Sequence, residues 1–180
     1  GDALQALAFD VLARELPADR GSSLHAIRSI ARACGSTGMA GGQALDLAAV
    51  GRDIDVEDLK TMHRLKTGAL IRASVTAPCI LADSGADHIA HLDAYGDCIG
   101  LAFQVHDDIL DVTGDSELIG KNTCADAALD KPTFPSMLGL DASRRYAREL
   151  RDQAVTHLEQ VPGDSSMLTC LASYVISRDR

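Results

Sequence analysis

Leu101-Ala-Phe-Gln-Val-His-Asp-Asp-Ile-Leu-Asp111 sets three carboxylates and one carboxamide inside an otherwise apolar run. Residues three and four apart share a helix face, so Gln104 lies one turn before Asp107 and Asp108, and Asp111 lies one turn after them. Leu101, Val105, Ile109 and Val112 fall on a neighbouring stripe suited to burial. Crowded carboxylates repel one another and resist desolvation, so packing alone gives no reason for them. A divalent cation removes the conflict. Oxygen-only ligands favour a hard ion, and Mg²⁺ commonly takes one or two carboxylates while phosphate and water complete its shell. An arbitrary Asp-Asp pair is more often a solvated acidic face. The apolar flanks and the basic residues elsewhere in the chain favour the metal here.

Those basic residues fall in two places. His63, Lys66 and Thr67 share one face of a helix whose Leu65, Ala69 and Leu70 mark it as substantially buried. A lone lysine in such a setting usually snorkels to solvent; beside an aspartate motif one helix later, contact with an anion is the better reading. Gly120-Lys121 and Asp126-Ala-Ala-Leu-Asp130-Lys131-Pro-Thr133 follow the acidic helix as a connection, where ligand contacts are common. Asp126 and Asp130 read equally well as ordinary solvated residues, Lys121 less so. Gln43 and Asp46, three apart in a helix of Ala, Leu and Val, either satisfy one another or line the cavity of the acidic motif.

The elements that must position these groups are helices. Asp2 is expected to cap a first helix to about Leu16, closed by Pro17, with Leu4, Leu7, Ala8, Val11 and Leu12 on its apolar face. A second runs from Gly21-Ser22-Ser23 to about Val50, continuous or gently kinked despite Gly35, Gly38, Gly41 and Gly42. Asp55 starts a third, with Asp58 as a capping-box partner, reaching Asp83 with a kink near Pro78. A fourth spans Asp87 to Val112. Gly114 to Pro135 is polar and turn-rich. A short helix around Pro135–Leu140 precedes one capped by Asp141 and reaching Gln160, and a last helix runs from Ser165 to Ser177. No alternating strand pattern, repeat or low-complexity tract interrupts this order.

Composition agrees with a single all-α domain over residues 1–180. The chain is 46% hydrophobic but only 3% aromatic, and Ala and Leu outweigh β-branched residues, which favours closely packed helices. A net charge of −9 argues against nucleic acid or an anionic membrane surface as partner. It leaves room for an anionic substrate, because a metal and a few lysines reverse the potential locally. Cys34, Cys79, Cys98, Cys124 and Cys170 are odd in number and widely spaced, the pattern of reduced thiols in a cytoplasmic protein. Neither a signal peptide nor a membrane-spanning apolar run is expected.

In combination and order, these segments resemble the trans-isoprenyl diphosphate synthases, most nearly the bacterial farnesyl diphosphate synthases. The matching pieces are Gly1-Asp-Ala-Leu4, Gly42-Gln-Ala-Leu-Asp-Leu47, His63-Arg-Leu-Lys-Thr-Gly-Ala-Leu70, Phe103-Gln-Val-His-Asp-Asp-Ile-Leu-Asp111, Gly120-Lys121, Asp130-Lys-Pro-Thr133 and Tyr174-Val-Ile-Ser-Arg178. The resemblance implies an antiparallel helical bundle of the isoprenoid synthase type, and a prenyltransferase that condenses an allylic diphosphate with isopentenyl diphosphate. It implies Asp107 as the direct Mg²⁺ ligand, with Asp108 and Asp111 holding or orienting coordinated water. Lys66 and Lys121 would bind the allylic diphosphate and Lys131 would contact it from the closing loop. Thr67 and Gln104 would aim oxygen dipoles at the developing allylic cation. A homodimer is implied, with the first two helices at its interface.

Such enzymes carry a first aspartate-rich motif and a basic isopentenyl diphosphate site upstream of the matched region. The chain therefore reads as the C-terminal portion of a synthase, incomplete on its N-terminal side. The runner-up is a noncatalytic subunit of a heteromeric synthase, against which the intact Asp107-Asp108-Asp111 group argues. A di-iron bundle needs Glu-x-x-His pairs, which do not occur. A metal phosphohydrolase built on His106-Asp107 lacks counterparts for its other histidines, with His88 and His91 reading as surface or packing residues. This chain by itself, given both diphosphates and Mg²⁺, is expected to give no product in a prenyltransferase assay; efficient turnover would contradict that expectation.

Overall fold

The computed structural model describes residues 1–16, 19–114 and 131–179, and every regular element among them is helical. In order these are α1 (Asp2–Glu15), α2 (Arg20–Cys34), α3 (Met39–Ala49), α4 (Val56–His63), a π-helical turn (Arg64–Gly68), α5 (Ala69–Leu81), α6 (Ala86–Thr113), α7 (Phe134–Leu138), α8 (Leu140–Leu158) and α9 (Ser166–Val175). Lys121, with Asp126 and Asp130, lies outside the described residues.

Helix α6 is the axis of the bundle. Its 28 residues reach about 42 Å at 1.5 Å per residue, and it is buried all round in its middle. Tyr95, Leu101, Ala102 and Val105 have no exposed surface at all, the pattern of a helix enclosed by others rather than lying on them. Helices α5 and α8 flank it along most of its length, with α4, α7 and α9 closing the rest. The Tyr95 hydroxyl donates to the Leu168 carbonyl at 2.9 Å, tying α6 to α9, and burial pushes its pKa up to about 12. Of the stripe expected on this helix, Leu101, Val105 and Ile109 are buried, but Val112 is 54% exposed because it falls in the last turn, beyond the packed neighbours.

Several boundaries differ from expectation for local physical reasons. Helix α1 begins at Asp2 itself, with Gly1 as its flanking residue, so Asp2 lies inside the helix instead of capping it. Asp19, not the Gly-Ser-Ser run, starts α2: its carboxylate accepts from the Gly21 and Ser22 amides at 2.6 and 3.2 Å. The expected continuous helix to Val50 is two helices. The chain leaves the helical path at Gly35 and turns at Gly38, where a side chain would collide with the Ala33 carbonyl. The third helix carries a π-helical turn at Arg64–Gly68, and α5 continues through Pro78 to Leu81. Asp55 does cap α4, accepting from the Asp58 amide at 2.8 Å. Asp141 does not cap α8. Gly139, at φ +83°, supplies the turn from α7, and Asp141 sits exposed in the first helical turn. The cap that matters is Thr133, whose hydroxyl and the Ser136 side chain exchange bonds with each other's backbone amides to start α7.

Gly42 is a point of close approach between α3 and the π-helical turn: any Cβ there would overlap the backbone of Lys66. Gly42→Ala is therefore expected to lower stability by about 1–3 kcal/mol, the usual range for overpacking a rigid contact, read as a lowered midpoint of urea or thermal unfolding.

Candidate functional site

The π-helical turn is where the chain's chemistry gathers. One extra residue per turn widens the helix and re-aims the side chains beyond it, and such bulges recur at functional sites. Here it displays Lys66 and Thr67. Lys66 Nζ donates to Asp46 Oδ2 at 2.7 Å, and Lys131 Nζ stands 3.6 Å from the same oxygen. The two lysines come from a helix and a loop 65 positions apart, and a carboxylate only 8% exposed holds both. Burial opposes ionisation of Asp46, but the Lys66 hydrogen bond and the charges of Lys66 and Lys131 outweigh it and hold the carboxyl below its ordinary value. Gln43, the other member of that sequence pair, is exposed. The two residues do not satisfy one another: Asp46 is taken by the two lysines instead.

Beside this cluster runs a line of hydrogen bonds. Thr67 Oγ1 donates to Gln104 Oε1 at 3.2 Å, and Gln104 Nε2 donates to Asp108 Oδ1 at 3.2 Å. The Phe134 amide, at the start of α7, donates to Asp108 Oδ2 at 2.9 Å. A carboxylate accepts only, so Asp108 compels the amide nitrogen of Gln104 to face it and turns the amide oxygen toward Thr67. Asp108 is 3% exposed and both its oxygens look inward. It orders the junction of α6, α7 and the π-helical turn.

Asp107 lies on the next face of α6, where it pairs with the Arg178 guanidinium. Asp111 is exposed one turn further along. The three aspartates thus split, one inward and two toward the surface, and no group of three potential metal-ligating side chains converges among the described residues. Asp107 and Asp111 carry carboxylate oxygens of the kind a hard divalent ion takes, one turn apart, but the Arg178 guanidinium occupies Asp107 here, so a cation at Asp107 would have to displace it.

His63 forms the floor under Lys66. It is 6% exposed, stacks on Phe134 with ring centroids 5.7 Å apart, and neither ring nitrogen has a hydrogen-bond partner among the described residues. Burial, reinforced by the neighbouring Lys66 charge, pushes its pKa down to about 4. A neutral ring beneath an ammonium group adds no repulsion. Arg64 of the π-helical turn pairs with Asp97 of α6 at 3.1 Å, and Arg72 of α5 pairs with Asp93 and Asp97. Those acids are neutralised locally and do not compete for Lys66.

Lys66, Thr67, Gln104, Asp108 and Lys131 are therefore brought together, with Asp107 and Asp111 on the adjoining surface. Asp46, His63 and Arg178 complete the site. An aspartate in a helix of small apolar residues was a legible signal for the first, and His63 shares a helix face with Lys66 in the sequence; the pairing of Arg178 with Asp107 stands out only once the fold is known.

Residues 1–167 match the family model described as polyprenyl synthetase. The farnesyl diphosphate synthase of Escherichia coli (strain K12) is 46% identical over 187 residues, an alignment covering 100% of this chain and 62% of that protein. Among solved structures, an FPP/GFPP synthase from Zymomonas mobilis superposes with a TM-score of 0.85 at 38% identity, covering 97% of this chain and 58% of that one. A geranyltransferase from Helicobacter pylori, complexed with magnesium and isoprenyl diphosphate, gives a TM-score of 0.80 at 31% identity, covering 97% and 57%. The chain spans about three fifths of the length of such relatives.

The low pKa of His63 has a consequence for stability. Between the unfolded value of 6.5 and the folded value of about 4, the unfolded chain binds more protons than the folded one, so stability falls as pH drops through this window. The loss reaches about 3 kcal/mol at pH 4, at roughly 1.4 kcal/mol per pKa unit. His63→Phe, which keeps the stack, is expected to remove that part of the slope in urea unfolding at pH 7 and pH 4.5; an unchanged slope would contradict a buried neutral His63.

Proposed function

The chain belongs to the polyprenyl synthetase family, and from that premise we propose that the protein is a farnesyl-type diphosphate synthase, joining an allylic diphosphate to isopentenyl diphosphate with Mg²⁺. The observation that carries this reading is the convergence of Lys66 and Lys131 on one buried carboxylate beside the Thr67–Gln104 line.

Two ammonium groups held by one carboxylate keep surplus positive charge, which suits a diphosphate. In the proposed reaction Lys66 and Lys131, with Lys121 as a further contact, bind the allylic diphosphate. Asp107 holds the metal, Asp111 orients its water, and Asp108 keeps Gln104 and the start of α7 in place. When bound, Mg²⁺ supplies charge that neutralises the departing diphosphate. Breaking the carbon–oxygen bond leaves an allylic cation, toward which Thr67 and Gln104 direct oxygen lone pairs. The alkene of isopentenyl diphosphate attacks this cation, and the diphosphate just released takes the final proton. Apolar helix walls keep out water that would quench the cation to an alcohol. No Ser-His-Asp or Cys-His arrangement is required.

The same reading places a homodimer contact on α1 and α2. Leu4, Leu7 and Leu24 are 69%, 52% and 67% exposed, leaving apolar side chains on these helices for a partner to cover. No helix among the described residues is long and apolar enough to cross a membrane, and the negative charge gives no footprint for nucleic acid. A cytoplasmic protein is the fitting proposal.

The test is a radiolabelled prenyltransferase assay on the full-length protein with geranyl diphosphate, isopentenyl diphosphate and Mg²⁺. Lys66→Ala and Asp107→Asn are each expected to lower kcat by about 100- to 1000-fold, the scale for removing one charge-stabilising group. Activity appearing only with a second subunit, and insensitive to both substitutions, would identify the protein as a noncatalytic partner instead.

A further inference from the structure

Arg178 makes three contacts with the acidic stretch of α6. Its guanidinium pairs with Asp107 Oδ1, its Cζ lies 4.2 Å from the centre of the Phe103 ring, and its carbonyl accepts from His106 Nε2 at 2.9 Å. The segment after α9 is thus held by three residues on one face of α6, through charge, stacking and a backbone bond. The pair is half sheltered, with the Arg178 side chain 13% exposed and that of Asp107 34%. At that depth an ion pair is screened far less than on an open surface. Arg178 also lines a cavity of about 540 Å³ walled by Arg144, Arg148 and Arg151 of α8. A side chain leaving Asp107 has room to move there.

From these contacts we propose that Arg178 is a latch competing with the divalent cation for Asp107, so that metal binding loosens the segment that follows α9. The inference rests on the reading of Asp107 as the metal ligand given above. A guanidinium and a metal ion cannot both take the same carboxylate oxygen. Entry of the cation breaks the Arg178–Asp107 pair and so removes the charged contact between this segment and α6, leaving the Phe103 stacking and the His106 bond there. A latch closed nine-tenths of the time weakens the apparent metal affinity about tenfold.

Isothermal titration of Mg²⁺ into the full-length protein tests this directly. Arg178→Gln is expected to tighten Mg²⁺ binding by about three- to tenfold. Arg148→Gln removes an equal charge from the same cavity wall without touching Asp107, and is expected to stay within twofold of wild type, which separates competition from a general change in potential. Limited trypsin digestion read by mass spectrometry supplies a second measure. Cleavage after Arg178 should be slow in the wild type, accelerate with Mg²⁺, and be fast without metal in Asp107→Asn. Equal Mg²⁺ affinity in wild type and Arg178→Gln, or equal tightening by Arg148→Gln, would overturn the latch and leave the proposed function standing. Absence of Mg²⁺ binding in wild type and Arg178→Gln alike, with folding verified by circular dichroism, would overturn the metal reading of Asp107 and the latch with it.

Discussion

Two ammonium groups cannot share a sheltered pocket unless an anion stands between them, and Asp46 is that anion. The rest of the site depends on it. Lys66 is fixed at one end by the widened turn of its helix and at the other by Asp46. Lys131 is brought against the same oxygen from a loop. Without Asp46 the two charges would repel and each would seek solvent, as lysines on buried helices ordinarily do. With it they are held side by side with one net positive charge, a state that a diphosphate relieves.

The packing serves this arrangement at each contact. Gly42 lets α3 approach the Lys66 backbone closely enough for Asp46 to reach it. His63, neutral and stacked on Phe134, fills the floor below without adding charge. Asp108 spans α6 and the first amide of α7, so the segment that delivers Lys131 is anchored three residues further on, at Phe134. Fold and site are joined here through individual hydrogen bonds as well as through the core.

The helices were legible because Ala and Leu recur at helical spacing, whereas Gly and Pro were ambiguous guides to their ends: the break at Gly35–Gly38 was not expected, and α5 runs through Pro78. The site motifs were legible as acids and bases in apolar surroundings. The geometry that escaped is of a kind periodicity cannot carry. A π-helical turn leaves no mark in the apolar pattern of Leu65, Ala69 and Leu70, since one added residue only rotates the later part of the helix. The glycines at 35 and 38 read as compatible with a continuous helix, and the non-helical backbone at both shows the break instead. Asp107, Asp108 and Asp111 look equivalent along the chain, yet the packing of α7 against α6 turns Asp108 inward and leaves the other two outward. Arg178 lies 71 residues from Asp107, a separation beyond any local pattern.

The lysines and Asp107 must receive a diphosphate and its metal together for the proposed chemistry to run. Crystals of the full-length protein soaked with Mg²⁺ and inorganic diphosphate test that most directly. Diphosphate density between the Lys66 and Lys131 ammonium groups, with metal density on Asp107, is the predicted result. Lysines still bound to Asp46, with the anion seated elsewhere on the protein, would contradict it.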